Sequence, residues 1–280
     1  MIWNIVTDSS CDLAHMNTRH GDIELRYFSV PFIISVENKD FIDDENLHVG
    51  DMLDTMEHSR EASHTSCPTP HSWQDAFLKE GNVIAITISK ELSGSYNSAC
   101  VARDMVLEDH PDKKIVIINS ASTGPALICL IRMLTAEVLA GHCFEKVAER
   151  AHALVGEMKT IFALCSFDNL VKNGRMSRIA GFIARSLGFW GIGVASPQGT
   201  IIIKGKERST KKVIASFIAD MKAAGGPKHV FISHCQNNEM AERIREAIQE
   251  VWQDVKVEIC ATRGLCSYYA DRRGLIVTYI

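Results

Sequence analysis

Three short β-branched runs each stop in a cluster of hydroxyl residues ahead of a helical pattern, and that recurrence limits the chain to few folds. The runs are 3–7 (W-N-I-V-T), 83–88 (V-I-A-I-T-I) and 114–119 (K-I-V-I-I-N). Runs this short and this apolar read as strands buried on both faces, the habit of parallel sheets covered by helices. In an open parallel sheet the strand-to-helix junctions all fall along one edge, outside the carboxyl ends of the strands, where ligands bind. Here those junctions read D-S-S at 8–10, S-G-S at 93–95 and S-A-S-T at 120–123.

The middle junction lies within I-S-K-E-L-S-G-S-Y at 88–96, followed by apolar residues at helical spacing to about residue 107. Two readings of Ser93 stand side by side. It caps the helix, as serine does at such positions, or it joins the Gly94 amide in holding a carboxylate or phosphate at the helix start. Thr65 and Ser66 sit in E-A-S-H-T-S-C-P-T-P at 61–70, where two prolines dictate an extended loop. They too read either as caps for a helix at 71–79 or as donors. Ser120, at the third junction, joins the candidate donors, and Pro125 suits the first position of the long apolar helix that follows to about residue 140.

The rest of the chain fits the same class. After the 8–13 turn a short helix is expected, then a strand at 23–30, a hairpin at 32–42 and an amphipathic helix at 47–57. A further helix at 144–158 closes the first unit, and a strand at 161–165 begins the second. Next come a short helix at 167–174 stopped by Gly174, the sequence N-G-R-M-S at 173–177, an apolar segment at 179–187, and strands at 192–195 and 200–204 joined by the turn S-P-Q-G. Helices at 210–224 and 239–252 and strands at 229–233, 255–259 and 275–280 complete the pattern. The expected architecture is two α/β domains, 1–158 and 159–280. The first has a mostly parallel sheet with flanking helices; the second is smaller, with a mixed sheet.

Composition excludes several functions. With 46% hydrophobic and 23% charged residues over 280 residues and a net charge of -4, the chain has an ordinary globular core and no basic face for nucleic acid. A DNA-binding regulator is therefore disfavoured. Nine scattered cysteines without a C-x-x-C pair read as reduced thiols, and the N-terminus lacks the charged and apolar regions of a signal peptide, so a cytoplasmic protein is expected. The longest apolar run is too short to span a bilayer. His64 and His71 flank the proline loop without a third ligand at metal spacing, so no metal is expected. Phosphate-loop, dinucleotide and nucleophile-elbow patterns are absent. An enzyme acting on a small carboxylated or phosphorylated metabolite at Ser93 stays open as an alternative and requires acid–base residues converging there.

Taken in order, five segments resemble the DegV family of bacterial fatty-acid-binding proteins. I-V-T-D-S-S-C-D-L resembles the family's opening strand and turn, H-T-S-C-P its T-S-x-P loop and I-S-K-E-L-S-G-S-Y its S-G-T-Y segment. I-N-S-A-S-T-G resembles its D-S-x-x-x-S-x-G junction, and L-V-K-N-G-R-M-S its L-x-x-G-G-R-I-S segment. The resemblance spans essentially the whole chain. It implies one long-chain fatty acid buried between the two domains, its carboxylate held by Thr65 and Ser93 with the Gly94 amide as a third donor. It further implies a protein that is not itself an enzyme, carries no cofactor, and presents its acid to a separate ATP-dependent fatty acid kinase. Arg175 takes the G-R position near the pocket mouth and partner surface.

The match departs from the family in places. Family members carry a C-terminal H-x-G-P-G segment whose histidine helps bind the carboxylate; here 265–276 reads L-C-S-Y-Y-A-D-R-R-G-L-I. Tyr268 or Ser267 as replacement donor, or Arg272 as replacement charge, are the candidates. The family's I-K-P is replaced by Phe189-Trp190-Gly191, and its junction aspartate by Asn119.

Overall fold

The computed structural model describes residues 1–59, 61–176 and 188–280; the apolar segment expected at 179–187 and Ser177 of N-G-R-M-S lie outside the described residues. The three hydroxyl-terminated runs form β1 (Ile2–Asp8), β7 (Asn82–Thr87) and β8 (Ile115–Asn119). Together with β2 (Asn17–His20) and β3 (Ile23–Val30) they build a five-stranded sheet in the order β2-β3-β1-β7-β8, parallel except for β2. Side-chain alternation along each strand feeds two cores. Val6, Val83 and Ala85 pack under Trp73 and Phe77 of α2 (Pro70–Phe77) and Ala99, Ala102 and Val106 of α3 (Ser95–Asp109). On the opposite face, Trp3, Ile5, Ile84, Ile86 and Ile118 meet α4 (Pro125–Leu139) and α5 (Phe144–Glu157).

The second sheet runs β11-β10-β9-β14-β12-β13. Its strands are β9 (Lys159–Leu164), β10 (Trp190–Ala195), β11 (Ile201–Glu207), β12 (His229–His234), β13 (Lys256–Ala261) and β14 (Leu275–Tyr279). It is mixed, as expected: β12 and β13 are parallel and the other pairs antiparallel. Between β9 and β10 lies the short helix α6 (Asp168–Lys172). One face of the sheet is covered by α7 (Thr210–Ala223) and α8 (Asn238–Val251) through Phe217, Met221, Ile244 and Ile248.

The other face meets α4. That helix is apolar on most sides because it is covered on most sides: it touches β3 and α5 of the first half and β12 and β14 of the second. Its residues from Pro125 to Ile131, with Leu134 and Val138, are all buried, and Phe231 of β12 belongs to the same core. Pro125 stands at the helix start as its missing N–H allows. A small antiparallel sheet, β5-β4-β6, packs beside this sandwich with α1 (Val49–His58) and α9 (Gly264–Ala270). Its strands are β4 (Ile33–Val36), β5 (Lys39–Ile42) and β6 (His64–Ser66).

Three local expectations change. No helix follows the 8–13 turn: the chain runs on to β2, whose Asn17–His20 pair with Ile23–Arg26 at the sheet edge. The proline loop contains β6, because Thr65 and Ser66 find partners in Ile34 and Ile33 of β4. A helix not expected at all, α9, occupies 264–270. Its first two amides, of Gly264 and Leu265, donate to the Asp43 carboxylate at 2.9 and 2.8 Å. An acid at the start of a helix supplies what a local cap would, but this one comes from a distant part of the chain.

Leu130 of α4 is fully buried in the core shared by both sheets. Leu130→Ala is expected to lower unfolding free energy by about 2 to 5 kcal/mol, read as a shifted midpoint in urea or guanidinium unfolding.

Candidate functional site

The three hydroxyl junctions meet at one edge because their strands are neighbours, and a buried carboxylate ties them together. Asp8 Oδ1 accepts from the Ser10 amide and hydroxyl at 3.2 and 2.5 Å. Its Oδ2 accepts from the Ile88 amide at 3.0 Å and the Ser95 hydroxyl at 2.6 Å. Burial pushes the Asp8 pKa up while these four donors oppose the shift. Backbone bonds complete the weave, from Ser89 N to Ser122 O and from Gly124 N to Ser10 O, both 2.8 Å. Ser95, the first residue of α3, therefore spends its hydroxyl on Asp8, and Ser93 Oγ accepts from the Ser95 amide at 3.3 Å.

The second half of the chain reaches this edge through the turn between β10 and β11. Ser89 Oγ donates to the Gly199 carbonyl at 2.8 Å. Gly199 has φ +90°, and a Cβ there would fall 2.2 Å from Ser89 Oγ and 2.9 Å from Ala121 Cα, so no other residue fits.

Between the edge and the second sheet lies a mainly apolar pocket. Phe32, Ile88 and Leu92 line it from one side, Phe162, Leu164 and Ile276 from the other, with Leu265, Cys266 and Tyr269 of α9 along a third wall. Its polar groups include Thr65, Ser93, Arg175 and Tyr269. Thr65 Oγ1 and Tyr269 Oη share a hydrogen bond of 2.9 Å. The Arg175 Nε donates to the Leu92 carbonyl at 3.1 Å, and its Nη1 donates to Asn173 O. Leu92 adjoins Ser93, so the guanidinium is held beside that serine. Arg175 is the charged side chain in the described lining. A cation near the hydroxyls of Thr65, Ser93 and Tyr269, opening into apolar walls, suits an amphiphile with an anionic head.

The sequence-derived candidates separate accordingly. Thr65, Ser93 and Arg175 line the pocket. Gly94 is the N-cap of α3, its Cα side 3.5 Å from Cys67 Sγ by the position a Cβ would take, next to Ser93 but not itself in the wall. Ser66 is exposed on β6, because neighbouring strand residues face opposite ways and Thr65 takes the inward one. Ser120 turns onto its own loop, donating to Ser122 O at 3.0 Å and accepting from Ser122 N at 3.2 Å. Tyr268 is buried with its hydroxyl on Ser63 at 2.8 Å and Asn173 Nδ2 at 2.9 Å; its neighbour Tyr269 faces the pocket instead.

The other two stand-ins for the family histidine also point elsewhere. Ser267 bonds Thr262 at 2.7 Å, and Arg272 pairs with Asp54 and Glu57 on α1. The sequence does not single out Tyr269, because the cap of α9 is not local; the Y-Y pair stands at 268–269, and which of the two faces a pocket depends on helix phase.

Two more buried carboxyls brace the pocket wall from behind. Asp43 holds the start of α9, and burial pushes its pKa up against the pull of Arg263. Asp12 accepts from the Arg263 amide at 2.8 Å, and burial pushes its pKa up to about 7. A carboxyl with a raised folded-state pKa binds more protons folded than unfolded between its two pKa values, so its contribution to stability is full below about pH 4 and lost as pH rises toward 7. Asp12→Asn is expected to remove that part of the pH dependence. Thermal melts of both proteins from pH 4 to 8 check it, and parallel curves contradict it.

Compared with known proteins, residues 2–277 match the family model described as uncharacterised proteins of the DegV family. A DegV domain-containing protein of Streptococcus pyogenes serotype M18 is 38% identical over 100% of this chain and 99% of its own length. Among solved structures, the Streptococcus pneumoniae Fatty Acid Kinase (Fak) B3 protein loaded with linoleic acid superposes with a TM-score of 0.96 at 35% identity, covering 100% of this chain and 99% of that one. A DegV family protein from Eubacterium eligens loaded with heptadecanoic acid superposes at 0.92 with 33% identity, covering 99% of each.

Proposed function

This chain belongs to the DegV family, and from that premise we propose that it binds a long-chain fatty acid in the pocket between its two halves and presents it to a separate ATP-dependent fatty acid kinase. The observation that carries the reading is the pocket itself: apolar walls from the loops at the edge of the first sheet and from the face of the second, with Thr65, Ser93, Tyr269 and Arg175 gathered in one lining. In this reading the carboxylate sits at Thr65 and Ser93, with the Gly94 amide beside them and Arg175 supplying opposite charge near the mouth and partner surface. Tyr269 takes the part of the missing histidine. Each hydrogen bond to a charged acceptor contributes about 1.5 to 3 kcal/mol, and each buried methylene about 0.8 kcal/mol, so the walls contribute more affinity than the head for a long chain.

The protein acts as the binding subunit, in the cytoplasm, and the acyl phosphate forms on the partner. An enzyme working at Ser93 would need a base on that hydroxyl, whereas the described pocket lining around it holds hydroxyls and Arg175 and no carboxylate or imidazole. A solvent extract of the purified protein, examined by mass spectrometry, is expected to yield a long-chain acid. Protein that is free of lipid and fails to bind labelled palmitate contradicts the reading. Ser93→Ala is expected to weaken binding by about 1.5 to 3 kcal/mol in a calorimetric titration; unchanged affinity with a lower melting temperature leaves Ser93 only an acceptor for the first amide of α3.

We further propose that the chain divides into domains 1–158 and 159–280, with α4 buried between them. Because α4 is covered by β12 and β14, the fragment 1–158 is expected to leave an apolar helix face bare. Its urea unfolding, followed by circular dichroism, is expected to lack the cooperative transition of the whole chain.

A further inference from the structure

The pocket ends in polar groups that the carboxylate reading does not use. Thr160, Phe162 and Leu164 project from one face of β9, since alternate residues of a strand share a face. Leu164 clusters with Leu170 of α6, which leads to Arg175. Thr160 is therefore at the far end of β9 from the charged group, about 13 Å along the strand from Leu164. There, Thr160 pairs across the ladder with Thr278, just as Phe162 pairs with Ile276. The Ser122 hydroxyl donates to Thr160 Oγ1 at 2.9 Å, and Thr160 Oγ1 shares a hydrogen bond of 2.8 Å with Thr278 Oγ1. All three residues are buried.

Beyond this ladder lies a second cavity, lined by Val155, Met158, Asp220 and Tyr279 among others. Ser122, Thr160 and Ala195 line both cavities, so they are the partition between them. The partition is braced: Ser122 O accepts from Ser89 N at 2.8 Å, and Ser122 N donates to Ser120 Oγ at 3.2 Å. Its hydroxyls bond one another, so a methyl terminus arriving from the apolar side meets a closed wall.

Resting on the fatty-acid reading above, we infer that the Ser122–Thr160–Thr278 ladder with Ala195 is the stop for the methyl end of the acyl chain and sets the longest chain the protein accepts. A longer chain has to part the Ser122–Thr160 bond to enter the second cavity. Thinning the partition admits methylenes and thickening it excludes them, with each methylene changing relative affinity about fourfold.

The test loads the full-length protein with an equimolar mixture of saturated acids from C14 to C20 and quantifies the extracted acids by mass spectrometry. Thr160→Ala is expected to shift the bound distribution toward longer acids, and Ala195→Leu toward shorter ones, each by about fourfold in the ratio of neighbouring even-chain acids for every methylene admitted or excluded. Ala195 is half-buried at a strand end, so its variant decides the matter alone if Thr160→Ala does not fold. Folded variants that bind the acids in the wild-type proportions overturn the inference. Wild-type protein that binds none of them overturns the fatty-acid reading instead.

Discussion

The site depends on one carboxylate placed where water does not reach. Removing an ionised carboxylate from water costs several kcal/mol unless its oxygens are fully engaged, and Asp8 meets that requirement with donors from three chain segments. Those donors come from the turn after β1, the end of β7 and the first turn of α3. One residue thus fixes the relative position of two strand ends and a helix start, and Ser93 hangs on the short connection between them. Asp8 occupies the Ser95 hydroxyl, while Ser93 accepts from the Ser95 amide at 3.3 Å and lines the pocket.

The parallel sheet was legible because its signal is local: a β-branched run, a hydroxyl cluster and a helical repeat occur three times within the first half of the chain. The pocket-lining Thr65, Ser93 and Arg175 were likewise named from motifs. What escaped was set by contacts between distant segments. The edge strand β2 forms where a cap pattern suggested a helix, because pairing with β3 outweighs it. Helix α9 escaped because its cap, Asp43, comes from the other end of the sequence. With α9 unseen, the candidates for the histidine's place are Tyr268, Ser267 and Arg272, and only the phase of the helix separates a tyrosine that braces Ser63 and Asn173 from Tyr269, which bonds Thr65.

The same long-range dependence builds the pocket wall formed by α9. Helix α9 is held at its start by Asp43 and at its side by the Cys266 thiol, which donates to Ser10 O at 3.2 Å. Through that helix the small sheet, the hydroxyl edge and the second sheet bear on one wall. The polar end of the pocket is thus assembled from side chains on separate elements, Thr65 on β6, Ser93 ahead of α3, Tyr269 on α9 and Arg175 after α6, none of which is next to another in sequence.

Strand order carries a consequence for synthesis on the ribosome. Of the six strands in the second sheet, β14 is made last, yet it lies between β9 and β12 rather than at a margin. Until it emerges, β9 and β12 have no bridge, the inner face of α4 lacks part of its cover, and Thr160 has no threonine opposite. The nascent chain can therefore complete the first parallel sheet before β14 emerges, but the wall that Ile276 lends to the pocket arises only once β14 has paired with both neighbours.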